Sequence, residues 1–167
     1  EAAEKSAAEH LIAEGCVLIS QHADSWGAPT ACEAAGVPNV SYNGSTASKC
    51  PETFLVSSRI NWSPYYEFVA DKVHAGEAFG PDYVGTIATG SVELTEFGEN
   101  VAPKTQAAVL KAASALANGS LHVFDTSKFT VKGEHLTSYI ADVDDAGDYV
   151  AETKAIADGY FHESEYR

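Results

Sequence analysis

Apolar positions along the chain follow two alternating rhythms. Over residues 2–14, Ala3, Ala7 and Leu11, flanked by Ala8 and Ile12, recur at helical spacing and predict a helix that Gly15 ends. The run CVLIS (16–20) has no alternation and predicts a short strand buried on both faces. A polar loop, QHADSWG, leads to a second predicted helix, APTACEAAG, stopped by Gly36. VPNVSYN then predicts a strand, GSTASKCPE a loop, and TFLVSSR another strand rich in β-branched and aromatic residues.

The next helix begins near Pro64, which suits a first helical turn, and ends at Gly76. Its predicted apolar face is Tyr65, Phe68, Val69 and Val73. DYVGTIATGSVELTEFG predicts two short strands around Gly90, and PKTQAAVLKAASALANG a helix from Pro103 to Gly119. LHVFDTSKFTVKG predicts one or two more strands. The tail from His135 is acidic, with Tyr149, Ile156, Tyr160 and Phe161 expected to pack. Alternating helices and strands imply a flavodoxin-like α/β fold, a parallel sheet with helices on both faces. Such sheets bind ligands outside the carboxyl ends of their strands. QHADSWG, NGSTASK and SSRINW all follow strand ends and are expected to converge on one edge.

Composition narrows the function. The chain has 167 residues, enough for one ordinary domain, and 45% are hydrophobic, so a core forms without staples. A formal charge of −14 argues against nucleic acid and against an anionic membrane surface, both of which need a surplus of Lys and Arg. No apolar run approaches the roughly 18–20 residues of a membrane span, and no signal peptide is present. The chain begins EAAEKSAAEH and contains no Met, so its N-terminus is expected to arise by processing, cloning or proteolysis. Of three cysteines, Cys16 lies in an apolar run and reads as a buried thiol. Cys32 and Cys50 are free to pair or not as far as the sequence goes.

His22, Asp24 and Ser25 fall within four positions. A hydrolytic triad needs nucleophile, base and orienting acid brought together by the fold, and residues this close in one loop rarely have that geometry. No G-x-S-x-G elbow is present. The plainer role is to cap the following helix through Asp24 or Ser25, which is compatible with ligand binding at the same N-terminus. Trp26 and Trp62, the two tryptophans, offer stacking surfaces for a ring or else ordinary packing. Asn43 and Asn61 each offer a donor and an acceptor, or hold a turn. The six histidines show no metal-ligand spacing. ADVDDAGDY places Asp142, Asp144, Asp145, Gly147 and Asp148 like part of a calcium loop. Ala146 and Thr153 stand where that loop needs oxygen ligands, so a solvated acidic turn is the stronger reading. Asn43, Asn61 and Asn118 begin formal glycosylation sequons, which matter only in a eukaryotic secretory context. No cofactor is implied.

Three stretches, LIAEGCVLISQHADS, PETFLVSSRINWSPYYEFVADKVHAG and GSVELTEFGENVAPKTQAAV, together resemble the basic membrane protein (BMP) family, PnrA-like ABC-transporter substrate-binding lipoproteins. Order and spacing agree over most of residues 5–132. The resemblance implies a type I periplasmic-binding-protein fold, with two lobes around a hinge and ligand held between them. It implies a purine base, nucleoside or similar ligand, and an ABC permease as partner. Localisation would be extracytoplasmic, by a lipid anchor or in the periplasm of the parent protein. The chain resembles the later part of such a protein. Residues 1–58 correspond to part of the second lobe, 59–120 to a segment crossing the hinge with elements of the first lobe, and 121–167 to a return toward the second lobe and a tail.

Carried over residue by residue, the loop His22, Ala23, Asp24, Ser25, Trp26 faces the cleft. Asn43-Gly-Ser stands where the family often has an Asp for ribose hydroxyls. Ser58-Arg59-Ile60-Asn61-Trp62 replaces a hinge segment that carries a Lys in nucleoside binders. Those departures point toward a free base or another small ligand, with Trp62 stacking and Asn61 reading a polar edge. The chain is expected not to be an enzyme. A sensing or interaction module of the same fold, and a small hydrolase using His22, Asp24 and Ser25, are the alternatives. An incomplete cleft with open sheet edges leads us to expect a homodimer.

Overall fold

The computed structural model describes residues 1–80, 83 and 85–121. The chain divides into two compact units. One comprises Glu1–Asn61 with Gly90–Lys111; the other comprises Trp62–Thr89 with the described residues from Ala112 on.

In the first unit, α1 (Ala2–Ala13) and α2 (Gly27–Ala35) pack closely against each other. Small residues make this possible. Ala8 of α1 joins Ala28, Ala31 and Cys32 of α2 and Ile19 in one buried cluster, with Ile12 and Val37 at its margin. At Gly27 a Cβ would lie 2.2 Å from the carbonyl oxygen of Glu1, so only glycine permits that approach. The buried side of α1 is therefore turned from the predicted one: Ala8 is inside, while Ala3, Ala7 and Leu11 are exposed. The α2 partner is narrow, and a stripe of residues spaced by four is enough to cover it. Gly36 closes α2 in the left-handed region, at φ 67°.

Among the described residues four strands form one sheet in the order β1-β2-β3-β4: β1 (Ile19–Ser20), β2 (Asn39–Tyr42), β3 (Phe54–Ile60) and β4 (Val92–Leu94). The first three run parallel, and β4 pairs antiparallel with β3. The mixed α/β architecture follows the hydrophobic pattern, with two corrections. The strand expected over 16–20 shrinks to two residues. Cys16, expected to be buried, is exposed, as are Val17 and Leu18. The reason is position: among the described residues β1 is the edge strand, with no strand on its outer side. Among the described residues around Gly90 one strand forms, and Gly90 takes φ 77° to start the reversal into β4.

The interior of the sheet is unusually polar. Asn39, Ser41, Thr46, Thr53 and Ser57 are buried beside the fully enclosed Phe54 and Cys50. These groups satisfy one another. The Asn39 amide donates to Thr53 Oγ1 at 3.0 Å, and Ser41 and Thr46 share a hydroxyl contact at 2.7 Å. Cys50 Sγ lies 3.1 Å from the Thr46 carbonyl. The Glu33 carboxylate, on α2, accepts from Thr53 Oγ1 at 2.8 Å and from the Thr53 and Glu52 amides. It ties the helix to the turn before β3. Cys32 and Cys50 are both fully buried, and neither is disulfide-bonded.

The second unit contains α3 (Ser63–Ala75), begun by Pro64 and ended by Gly76 at φ 68°. Tyr65, Phe68 and Val69 are half-buried as their spacing predicts, but Val73 is two-thirds exposed. Tyr65 meets Tyr83 edge-on, and Phe68 meets Tyr83 at a tilt and Phe79 edge-on, so packing is centred on the first turns of the helix and Val73 lies beyond it. Helix α4 (Pro103–Ala117) runs from one unit into the other. The calcium-like run at Asp142, Asp144 and Asp148 and the expected packing of Tyr149, Ile156, Tyr160 and Phe161 lie outside the described residues. Among the described residues no helix is long and apolar enough to cross a membrane.

Candidate functional site

A cleft of about 220 Å³ opens in the first unit at the carboxyl ends of β1 and β2. Parallel strands bring this about. Each leaves the sheet on the same side, so the loop after β1 (21–26) and the loop after β2 (43–46) face one another. The first loop contributes Gln21, Ala23, Asp24, Ser25 and Trp26; the second contributes Asn43, Gly44, Ser45 and Thr46, with Tyr42 from the strand end.

Local chemistry holds the two loops in place. Asn43 adopts φ 63°, a left-handed turn that asparagine tolerates better than other non-glycine residues, and this turns the chain out of β2. The Asn43 amide reaches 3.5 Å toward Asp24 across the cleft. Ser45 Oγ donates to the Glu96 carboxylate, just past β4, at 2.5 Å. Gln21 Nε2 donates to the Ser25 carbonyl at 3.0 Å and closes the first loop on itself. Ser25 Oγ accepts from the Gly27 amide at 3.3 Å, so it caps the entry to α2. Asp24 does not; the N-cap position itself is Trp26, without a side-chain bond. The Trp26 ring, 40% exposed, has Lys49 Nζ over it at 5.8 Å from the centroid.

The structure thus brings together Ala23, Asp24, Ser25, Trp26 and Asn43 of the sequence candidates. It does not add His22 to the cleft lining: the imidazole stacks on Tyr42 with centroids 3.9 Å apart. A triad of His22, Asp24 and Ser25 has no hydrogen bond joining its members among the described residues, because Asp24 turns to Asn43 and Ser25 to Gly27. Asn61 and Trp62 do not line this cleft. Asn61 belongs to the first unit, where its backbone N–H donates to the Ser91 carbonyl at 2.8 Å, and Trp62 begins a segment of the second, packed edge-on against Tyr65. Gln21, Tyr42, Gly44, Ser45 and Thr46 were not singled out. Their signal was present, since each lies in or beside a loop at a strand's carboxyl end. Among the described residues no cluster of His, Cys, Asp and Glu forms a metal site.

The lining offers the rings of Trp26 and Tyr42, one carboxylate, two amides and four hydroxyls around a small space, and no cation lines it. Such groups can stack on a ring and hydrogen-bond polar substituents. A Haloferax volcanii protein provisionally named an ABC transporter glucose-binding protein is 31% identical over 125 residues. The match covers 75% of this chain and 32% of that protein, so the chain spans about a third of its relative's length. The chain is similar to ABC-transporter solute-binding proteins.

Two solved structures share its fold. One is a solute-binding protein of an ABC transporter system from Conexibacter woesei, with a TM-score of 0.58 and 24% identity over 73% of this chain and 42% of that one. The other is a transcriptional activator of the comK gene from Bacillus halodurans, with a TM-score of 0.61 and 19% identity over 70% and 42%. No family model matches the chain.

Proposed function

We propose that the chain is the part of an extracytoplasmic solute-binding component of an ABC importer that carries one wall of the ligand cleft. Its ligand is a small uncharged ring compound bearing O–H or N–H groups. A monosaccharide comes first, given the name of the Haloferax relative. A purine base or nucleoside, which the BMP resemblance suggests, is the second candidate. The observation that carries the proposal is the cleft itself, where the Trp26 indole stands beside Asp24, Asn43 and the hydroxyls of Ser25 and Ser45. An indole face covers the apolar side of a sugar or base, while the polar groups meet its edge. Cleft size agrees: the volume is below the roughly 300–1,000 Å³ of sites for drug-sized ligands.

The permease partner, a lipid anchor, membership of the BMP family and a homodimer belong to the same proposal. So do the lobe assignments of residues 1–58, 59–120 and 121–167, and the contribution of His22, Asn61 and Trp62 to ligand binding. Catalysis is not part of it. The fold shared with the comK activator favours one other reading, a ligand-sensing module without transport. A neighbouring permease gene separates the two.

Calorimetric titration with D-glucose and with inosine tests the proposal. One of them should bind the wild-type chain, and Trp26→Ala or Asn43→Ala should weaken that binding by about tenfold or more. Binding unaffected by Trp26→Ala would remove the cleft from consideration. Trp62→Ala tests the hinge contribution separately.

A further inference from the structure

We infer that Gln21 sets the specificity of the cleft, by demanding a hydrogen-bond donor from the ligand. The inference rests on the ligand-binding reading of the cleft and deepens it. Gln21 lines the cleft at the point where the chain leaves β1. Its side-chain orientation is fixed. Nε2 donates to the Ser25 carbonyl, and exchanging the amide's oxygen and nitrogen would set two acceptors against each other. The other end of the amide, Oε1, is closed to bulk solvent and meets no donor among the described residues. A buried carbonyl oxygen without a donor costs free energy in whatever state leaves it so, and that cost is recovered in a state that supplies one.

The loop that carries Gln21 is suited to that change. Residues 21–26 form no regular structure; the side-chain hydrogen bonds within the loop and across the cleft are Gln21–Ser25 and the long Asn43–Asp24 contact, beside the ring contacts of His22 with Tyr42 and of Trp26 with Lys49. A small shift of this loop turns Oε1 toward the cleft, where a ligand O–H or N–H completes it. The neighbours sharpen the demand. Asp24 is an acceptor, and the Asn43 amide is already directed at Asp24. Ser45 spends its proton on Glu96. The cleft therefore presents more acceptors than free donors, and the chain as a whole carries −14. Ligands rich in donors and without negative charge fit it; carboxylates and phosphates do not.

The experiment is a thermodynamic cycle. The full chain and its Gln21→Met variant are titrated with D-glucose and its four monodeoxy analogues (2-, 3-, 4- and 6-deoxy), and with inosine and its 2′- and 3′-deoxy forms. Wild type should lose about tenfold or more in affinity with one analogue of the parent that binds, and Gln21→Met should lose most of that discrimination while weakening the parent. Should Gln21→Met fail to fold, Gln21→Asn, which withdraws the acceptor by one carbon, takes its place.

Discrimination that persists undiminished in Gln21→Met overturns the inference while leaving the cleft intact as a ligand site. So does a variant that is less stable yet equally selective, since Oε1 would then be held by an internal water. Wild type binding neither parent compound would overturn the underlying reading and this inference together.

Discussion

Gly98 follows β4, and its lack of a side chain is what lets that segment lie against β3. A Cβ at this position would stand 1.8 Å from the carbonyl oxygen of Phe54 and 3.4 Å from Cδ1 of its ring. The obstruction is backbone, so no rotamer change relieves it. Gly98→Ala must push two chain segments apart by more than 1 Å. The Gly98 amide donates to the Leu55 carbonyl at 2.8 Å, and that bond stretches or breaks in consequence. Overpacking of this kind costs about 1–3 kcal/mol, and loss of a backbone hydrogen bond adds about 1 kcal/mol. The reduced flexibility of the unfolded chain returns about 0.4–1 kcal/mol. Destabilisation of about 1–3.5 kcal/mol is expected.

Urea unfolding in a Trp62→Phe background measures it, because the remaining Trp26 lies in the same unit as Gly98 and reports on that unit alone. Gly44→Ala is the control: nothing lies within 4 Å of its added carbon, and it should be neutral or slightly stabilising. A Gly98→Ala midpoint within about 0.5 kcal/mol of wild type, outside the usual effect of a consequential substitution, would show that the approach of the two segments is not as close as described.

Glu33→Ala should lower stability by about 1.5–3 kcal/mol in the same assay, since the Thr53 and Glu52 groups that it accepts from lose a charged partner; Glu33→Gln should recover only part. Thiol labelling in native buffer should modify Cys16 quickly and Cys32 and Cys50 only on unfolding, because the latter two are fully enclosed. Desolvation, reinforced by the charge of Cys50, pushes the Cys32 thiol up from 9.0 to about 11. The folded state then holds a proton that the unfolded state releases, so this contribution to stability is complete below about pH 9 and is lost between about 9 and 11. Cys32→Ala should flatten the fall in melting temperature over that window relative to wild type, and identical slopes would count against it. With 24 acidic and 10 basic residues, like-charge repulsion dominates, so melting temperature should rise as NaCl goes from about 0.05 to about 1 M and screening shortens; a constant or falling value would show that the charges are already well dispersed.

The hydrophobic pattern by itself determined the order of elements from α1 to α3 and the place of α4, the caps at Gly36 and Gly76, and the α/β class. These are local decisions, made by spacing and by residues that stop a helix whatever surrounds it. The same pattern located the loops that form the cleft, because a parallel sheet puts ligand-facing loops at strand ends in every such fold. Its limits were tertiary. Whether Cys16, Val17 and Leu18 are buried depends on β1 having a neighbour on its outer edge, and composition cannot supply that. The antiparallel run of β4 depends on the reversal at Gly90, and the exposure of Val73 on where its aromatic neighbours gather.

At the site, His22 and Asp24 look equivalent in sequence, two polar residues in one loop. The fold separates them, laying the imidazole on Tyr42 and turning the carboxylate toward Asn43. Gln21 drew no notice because a glutamine beside a strand is ordinary; only the packed structure shows that one of its two polar atoms has a partner and the other does not. Residue type fixes what a side chain is able to bond. The three-dimensional neighbours decide which of those bonds are already made, and a binding site consists of the ones that are left.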